Sequence, residues 1–167
     1  GNCDVAILLD AGHGDCSRTV RVGGVEAVDD DTVALIRATE EALRAGVAAA
    51  RVGGRVRDIG KAIQQVARAH GYGVVRELVG HGIGDQFHGE PHVHHYDEPR
   101  NRAAIRPGMA FTIEPMLTLG LADVVLWEDE WTIVTLDGEP SAQFEHTVLV
   151  TDGGVEVLTV TEAGDVS

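Results

Sequence analysis

Cysteine is scarce in this chain: Cys3 and Cys16 are the full complement. Two thiols cannot build a disulfide framework, and the expectation is a reducing, cytoplasmic setting. Basic residues are also few, 13 Lys and Arg against 27 Asp and Glu, for a net charge of −14. That balance argues against binding nucleic-acid phosphates and equally against an anionic membrane surface. No apolar run approaches the ~18 residues of a membrane span, and no signal-peptide pattern is visible. An initiating Met is missing too. Gly1 leads within a few residues into Val5-Ala6-Ile7-Leu8-Leu9, a strand-like run. The expectation is a C-terminal portion of a longer chain, cut inside a folded element. What is present suits one domain over residues 1–167: 44% hydrophobic residues can build a useful core.

Residues 3–10 read as a buried strand and Cys16–Val22 as its partner, with the turn-forming cluster Asp10–Asp15 between them. Pairing in such a hairpin could set the carboxylates of Asp4 and Asp15 side by side. Like charges there are unfavourable unless a cation lies between them; two solvent-facing aspartates are the plain alternative. Asp31-Thr32 could cap a helix running to about Arg51. A second helix, about Val56–His70, carries Ile59, Ile63 and Val66 on one face and stops at Gly71. Val74–Val79 returns to strand character. Later apolar strands each contain one carboxylate: Glu114 in Met109–Met116 and Glu145 in Gln143–Val150. A buried carboxylate needs a partner charge or a metal.

The most unusual stretch is Gly80-His81-Gly82-Ile83-Gly84-Asp85-Gln86-Phe87-His88-Gly89-Glu90-Pro91. Its glycines permit tight backbone around His81. One imidazole could serve a metal and the other a substrate; a glycine-rich turn with incidental histidines is the alternative. His92, His94 and His95 follow, with His92 and His94 read as loop or pocket wall. Taken together, Asp4, Asp15, His81, Glu114 and Glu145 offer four hard carboxylates and one imidazole. That set suits divalent first-row ions such as Mn, Fe, Co or Zn. Five ligands fit two ions ~3.5–4 Å apart, sharing carboxylates and a water activated as a nucleophile.

The stretch Gly80–Pro91 with His95-Tyr96, the strand Phe111-Thr112-Ile113-Glu114-Pro115-Met116, and Gln143-Phe144-Glu145-His146-Thr147 resemble the type I methionine aminopeptidases, a branch of metallopeptidase family M24. The resemblance covers nearly the whole chain, and the ligand spacings of 11, 33 and 31 residues fit it. It implies an α/β (α+β) pita-bread fold, an antiparallel curved sheet with helices outside, incomplete at the N-terminus. It implies two divalent ions, with Asp4 on one, Asp15 and Glu145 bridging, and His81 and Glu114 completing the other. Glu114 would handle the proton of the attacking water, and His88 would contact the scissile amide as a second catalytic residue. Phe87 and Trp131 would wall the methionine pocket, and with His88 they would be the substrate-binding residues. The implied partner is the N-terminal Met of nascent polypeptides, with ribosome association as a family role; the expectation is a monomer, without nucleic acid or membrane. Two neighbouring readings remain: a related Xaa-Pro peptidase, and a non-catalytic pita-bread binding protein. Cys16 stands where the family usually has Thr, which removes a hydroxyl near the metals and could place a thiol there.

Overall fold

The computed structural model describes residues 1–10, 12–23 and 27–160. Ala11, part of the expected turn, lies outside them. The strands are β1 (Asn2–Leu9), β2 (Gly12–Thr19), β3 (Gly73–Val74), β4 (Gly80–Gly82), β5 (Gly89–Val93), β6 (Ala110–Ile113), β7 (Met116–Thr118), β8 (Val124–Leu126), β9 (Ile133–Thr135), β10 (Ser141–Thr151) and β11 (Gly154–Val157). The helices are α1 (Asp30–Ala49) and α2 (Val56–His70). Among the described residues, nine strands form one sheet with the path β1-β2-β10-β6-β4-β5, β7 and β11 also pairing with β10 and β3 with β7; β8 and β9 form a separate hairpin. The strand pairings are antiparallel. The 11-residue β10 is the spine: it pairs with β2, β6, β7 and β11 along its length.

Alternation along β10 separates two faces. Ala142, Phe144, Val148 and Val150 enter the hydrophobic core with Leu35, Leu43, Ile59 and Ile63 of the two helices. Gln143, Glu145 and Thr147 alternate with them and belong to the opposite face. The same rule sends Phe111 and Ile113 of β6 to the core and leaves Thr112 on the other side.

The second helix spans the expected residues and ends at Gly71 in the left-handed conformation, φ 77°. The first begins two residues before the expected Thr32, because Asp29, not Asp31, accepts from the Thr32 N–H at 2.7 Å. The N-terminal hairpin turns earlier than expected, so that Gly12–Asp15 already pairs with β1. The expectation that the first strand is buried is wrong. All eight residues of β1 are exposed, Leu9 by 72%. The reason is position: β1 is the edge of the sheet and pairs only with β2 among the described residues. Val74–Val79 also differs, since only Gly73–Val74 is strand.

Candidate metal centre

The face of the sheet opposite the helices gathers polar groups that a core normally excludes. Asp15, His81, Glu114 and Glu145 are all buried. Ligand atoms of Asp15, His81 and Glu145 lie within 4.8 Å of one another. His81 Nε2 is 3.9 Å from Asp15 Oδ2 and 3.8 Å from Glu114 Oε1. Asp4 enters from the hairpin. In the β1–β2 register Asp4 opposes Ser17 and Asp15 opposes Ala6, so both aspartates stand on one face as diagonal neighbours. The structure thus brings the five sequence-predicted ligands to one place, four of them buried and Asp4 on the exposed edge strand.

Local backbone explains why each side chain points inward. His81 sits in a three-residue strand whose register shifts between Gly80 and Gly82. A Cβ on Gly82 would collide with the backbone of Glu90, and one on Gly80 with the Thr112 carbonyl. Only glycine on both sides lets β4 approach β5 and β6 this closely. Asp15 is clamped by Thr147, whose hydroxyl accepts the Asp15 N–H at 3.0 Å and donates to the Asp15 carbonyl at 2.8 Å. Thr112 accepts the His81 N–H at 3.0 Å and donates to Glu114 Oε1 at 2.9 Å.

The electrostatics are those of a site that calls for a cation. Burial, reinforced by Asp4, pushes the Asp15 carboxyl up to about 6. Glu145 is pushed up by burial and then by Glu114, Asp15 and Asp4. Burial raises Glu114 as well, against the lowering effect of the Thr112 hydroxyl. Burial holds His81 below its usual value, so its ring is neutral at pH 7. Its Nδ1 lies 3.2 Å from the Gly82 carbonyl, which can only accept, so the ring hydrogen sits on Nδ1. Nε2 then presents a lone pair to two carboxylates. Lone pair against carboxylate is repulsive unless a positive charge sits between them. Asp15 Oδ1 adds a buried acceptor with no hydrogen-bond partner among the described residues. The residues fit a divalent ion.

The other site residues divide. Phe87 and His88 close over His81. The His81 and His88 rings are 4.3 Å apart, Phe87 and His88 4.4 Å, and Phe87 and His81 5.6 Å. Trp131 is not brought to this cluster: it lies in the turn between β8 and β9 and is 85% exposed. Cys16 alternates with Asp15 along β2, which turns it to the opposite face; its Sγ lies 3.8 Å from the Val5 carbonyl. Burial, followed by Glu145, Asp15 and Asp4, raises its thiol, and a protonated thiol is a poor ligand. A thiol among the candidate ligands, which Cys16 could have supplied, is therefore not found. His92 and His94 line a shallow surface cavity of about 260 Å³ with Glu98 and Arg100, in keeping with their reading as pocket wall.

Sequence reasoning missed four residues. Thr112 and Thr147 hold the candidate ligands, and the alternation Phe111-Thr112-Ile113-Glu114 could have placed Thr112 beside Glu114. His13 was read only as part of a turn. Its backbone N–H and its Nδ1 both lie 2.8 Å from the Gly84 carbonyl, and its ring is 5.7 Å from Phe87. That ties the His81–His88 loop to the hairpin; Gly12-His13-Gly14 repeats the pattern around His81 and was the available signal. His95 is fully buried, burial drops its ring to about 3, and its Nε2 takes the Glu114 N–H at 3.2 Å.

Comparison with known proteins follows the same lines. The profile of metallopeptidase family M24 matches residues 2–152. Methionine aminopeptidase A of Synechocystis is 50% identical over 161 residues, covering 96% of this chain and 62% of that protein. The crystal structure of methionine aminopeptidase from Rickettsia prowazekii superposes with a TM-score of 0.90 at 42% identity, over 95% of this chain and 63% of that one. Prolidase from Pyrococcus furiosus superposes less closely, TM-score 0.74 at 25% identity, over 96% of this chain and 41% of that one. The fold is therefore the pita-bread fold of these enzymes. The chain spans about 62% of the length of the first of these relatives.

Proposed function

The chain belongs to metallopeptidase family M24, and from that premise we propose that residues 1–167 form the catalytic metal-carrying domain of a methionine aminopeptidase. The family implies divalent metal. The observation that carries the site assignment is the bare Nε2 of His81 facing Asp15 and Glu114, beside buried Glu145. In this reading Asp4, Asp15, His81, Glu114 and Glu145 would hold the ions, Asp15 and Glu145 being the residues the resemblance assigns to both. Co, Mn, Fe and Zn all suit that donor set. When bound, the ions supply Lewis acidity toward the amide carbonyl and an acidic water near neutral pH.

The chain's own residues do the rest. Glu114 is buried with a raised proton affinity, so it accepts the proton of the attacking water and returns it to the leaving amine. His88, held against His81 and Phe87, donates a hydrogen bond to the scissile amide and stabilises charge as the carbonyl becomes tetrahedral. Phe87 gives the substrate an apolar wall suited to a thioether. Trp131 is assigned to that wall by resemblance alone. The substrate class is the N-terminal Met of nascent polypeptides, and the setting is cytoplasmic; among the described residues no helix is long and apolar enough to cross a membrane. A second reading, an Xaa-Pro peptidase, rests on the likeness to prolidase.

Release of free Met from a Met-Ala-Ser peptide, with Co(II) or Mn(II) added and EDTA as control, tests the activity. Metal-dependent release is expected, lost in Glu145→Ala together with bound metal. Unchanged metal content and Met release in that variant would sink the site assignment. Cleavage of Xaa-Pro peptides but not Met-Ala peptides would favour the second reading.

A further inference from the structure

Glu114 sits where the sheet changes partners. β6 ends at Ile113, opposite His146, and β7 begins at Met116, opposite Gln143. Between them lie Glu114 and Pro115, while Glu145 across the gap pairs with Ser17 of β2. Proline has no N–H to offer. The Glu114 N–H has no place in the ladder, and a buried N–H requires an acceptor. His95 supplies one: its Nε2 lies 3.2 Å from the Glu114 nitrogen.

His95 is 0% exposed. Because Nε2 accepts, the neutral ring carries its hydrogen on Nδ1, and Nδ1 is buried without a partner among the described residues. Burying an imidazole with one unpaired nitrogen is costly. An apolar side chain would fill the space without that cost but would orphan the Glu114 N–H. We propose that His95 is a positioning residue that replaces the missing sheet acceptor for Glu114 and so sets the direction in which that carboxylate enters the centre; this rests on the metal reading given above. Glu114 is then held at three points: its nitrogen by His95, Oε1 by the Thr112 hydroxyl at 2.9 Å, and Oε2 by the Gln143 amide at 3.5 Å. Partners of this kind orient ligands rather than bind the ion themselves.

The test has two readouts on the 167-residue chain. Long-range ¹H–¹⁵N correlation on metal-free protein reports the tautomer. His95 protonated at Nδ1 and bare at Nε2 is expected; protonation at Nε2 overturns the proposal whatever the metal does. Titration with Co(II), followed by its visible absorption, reports the centre. His95→Leu should weaken Co(II) binding roughly 10–100-fold and alter the visible bands. His95→Gln, which reaches as far as Nε2 with an acceptor, should recover binding to within about threefold of the parent. A Leu variant with parental Co(II) affinity and spectrum, and only a lower thermal midpoint, reduces His95 to a packing residue and overturns the proposal. Should the Leu variant not fold, His95→Asn replaces it, because its shorter side chain cannot reach Glu114. Gln and Asn variants binding Co(II) equally overturn the proposal; Asn binding at least about tenfold more weakly than Gln supports it. If the parent binds no Co(II), the metal reading fails, while the tautomer still decides the bond between His95 and Glu114.

Discussion

Thr112 has one hydroxyl with two tasks: it accepts the His81 N–H and donates to Glu114 Oε1. Both partners are buried, so neither can turn to water when the hydroxyl is removed. Thr112→Val keeps the volume and the β-branch but leaves a buried donor and a buried carboxylate oxygen unsatisfied. The expected loss is about 1–3 kcal/mol of unfolding free energy, read as a lower urea midpoint of the metal-free chain. Co(II) affinity should fall several-fold, because His81 and Glu114 lose their common tether. Thr112→Ser should restore both. An unchanged urea midpoint in the valine variant would show that the hydroxyl is not holding the site. Glu114 illustrates the same logic from the opposite direction. Its carboxylate was legible in the sequence as a charge at the end of an apolar strand, but only some of the groups that aim it were. Thr112 could be inferred from alternation. His95 could not, since its role depends on a break in the ladder visible only in three dimensions.

At the scale of elements, the short strand β4 matters most. It is three residues long, fully buried, and squeezed between β5 and β6. Gly82→Ala places a methyl against the Glu90 backbone, where no side-chain rotation can relieve it. The expected cost is at least about 2–3 kcal/mol, and the displaced strand carries His81 away from Asp15. Thermal unfolding of the metal-free chain together with a Co(II) titration would record both effects; an alanine variant with the parental midpoint and affinity would mean that the strand has slack. The sequence marked this element through its glycines, although their reason, close backbone approach, requires the neighbouring strands. α2 was fully readable because Ile59, Ile63 and Val66 fall on one face and Gly71 ends it. α1 was readable except for its start, where three successive aspartates, Asp29 to Asp31, competed for the cap. β1 was readable as a strand but not in its exposure. Burial depends on what lies opposite, and an apolar run carries no record of that. The loop from Gly84 to His88 adds a further test. Its link to β2 runs through His13, so under the proposed activity His13→Ala should raise KM for a Met-Ala-Ser peptide more than it lowers kcat, by loosening Phe87 and His88. A change confined to kcat, with KM unaltered, would place His13 in the chemistry instead.

Across the whole molecule, four carboxylates and one neutral imidazole crowd into one site of a chain that already carries a charge of −14. Without metal this arrangement works against folding as the carboxylates ionise. The sign follows from proton binding. A carboxylate whose folded pKa is raised holds its proton in the native state after the unfolded chain has released it, so stability falls as pH rises from the unfolded value through the folded one. The buried histidines His81, His95 and His146 act oppositely below their ordinary value of 6.5, where unfolding lets them take up protons. The two effects offset each other in mild acid, and above pH 7 only the carboxylates remain. Glu145, 2% exposed and raised by burial and three neighbouring acids, should dominate there. Comparison with Glu145→Gln isolates it, because glutamine resembles the protonated acid and does not titrate. Near pH 5 the metal-free parent and this variant should unfold at similar temperatures. Between pH 5 and 9 the parent should fall progressively behind, by up to about 1.4 kcal/mol for each pH unit. Adding Co(II) at about 100 times its dissociation constant should then raise the parent by about 2.7 kcal/mol and leave the variant nearly unmoved, since the ion binds the ionised carboxylates of the native state. Calorimetry across this range with EDTA or Co(II) checks the prediction. Parallel pH profiles for the two metal-free proteins would mean that Glu145 is already ionised and compensated within the fold, and the crowded carboxylates would no longer call for a cation.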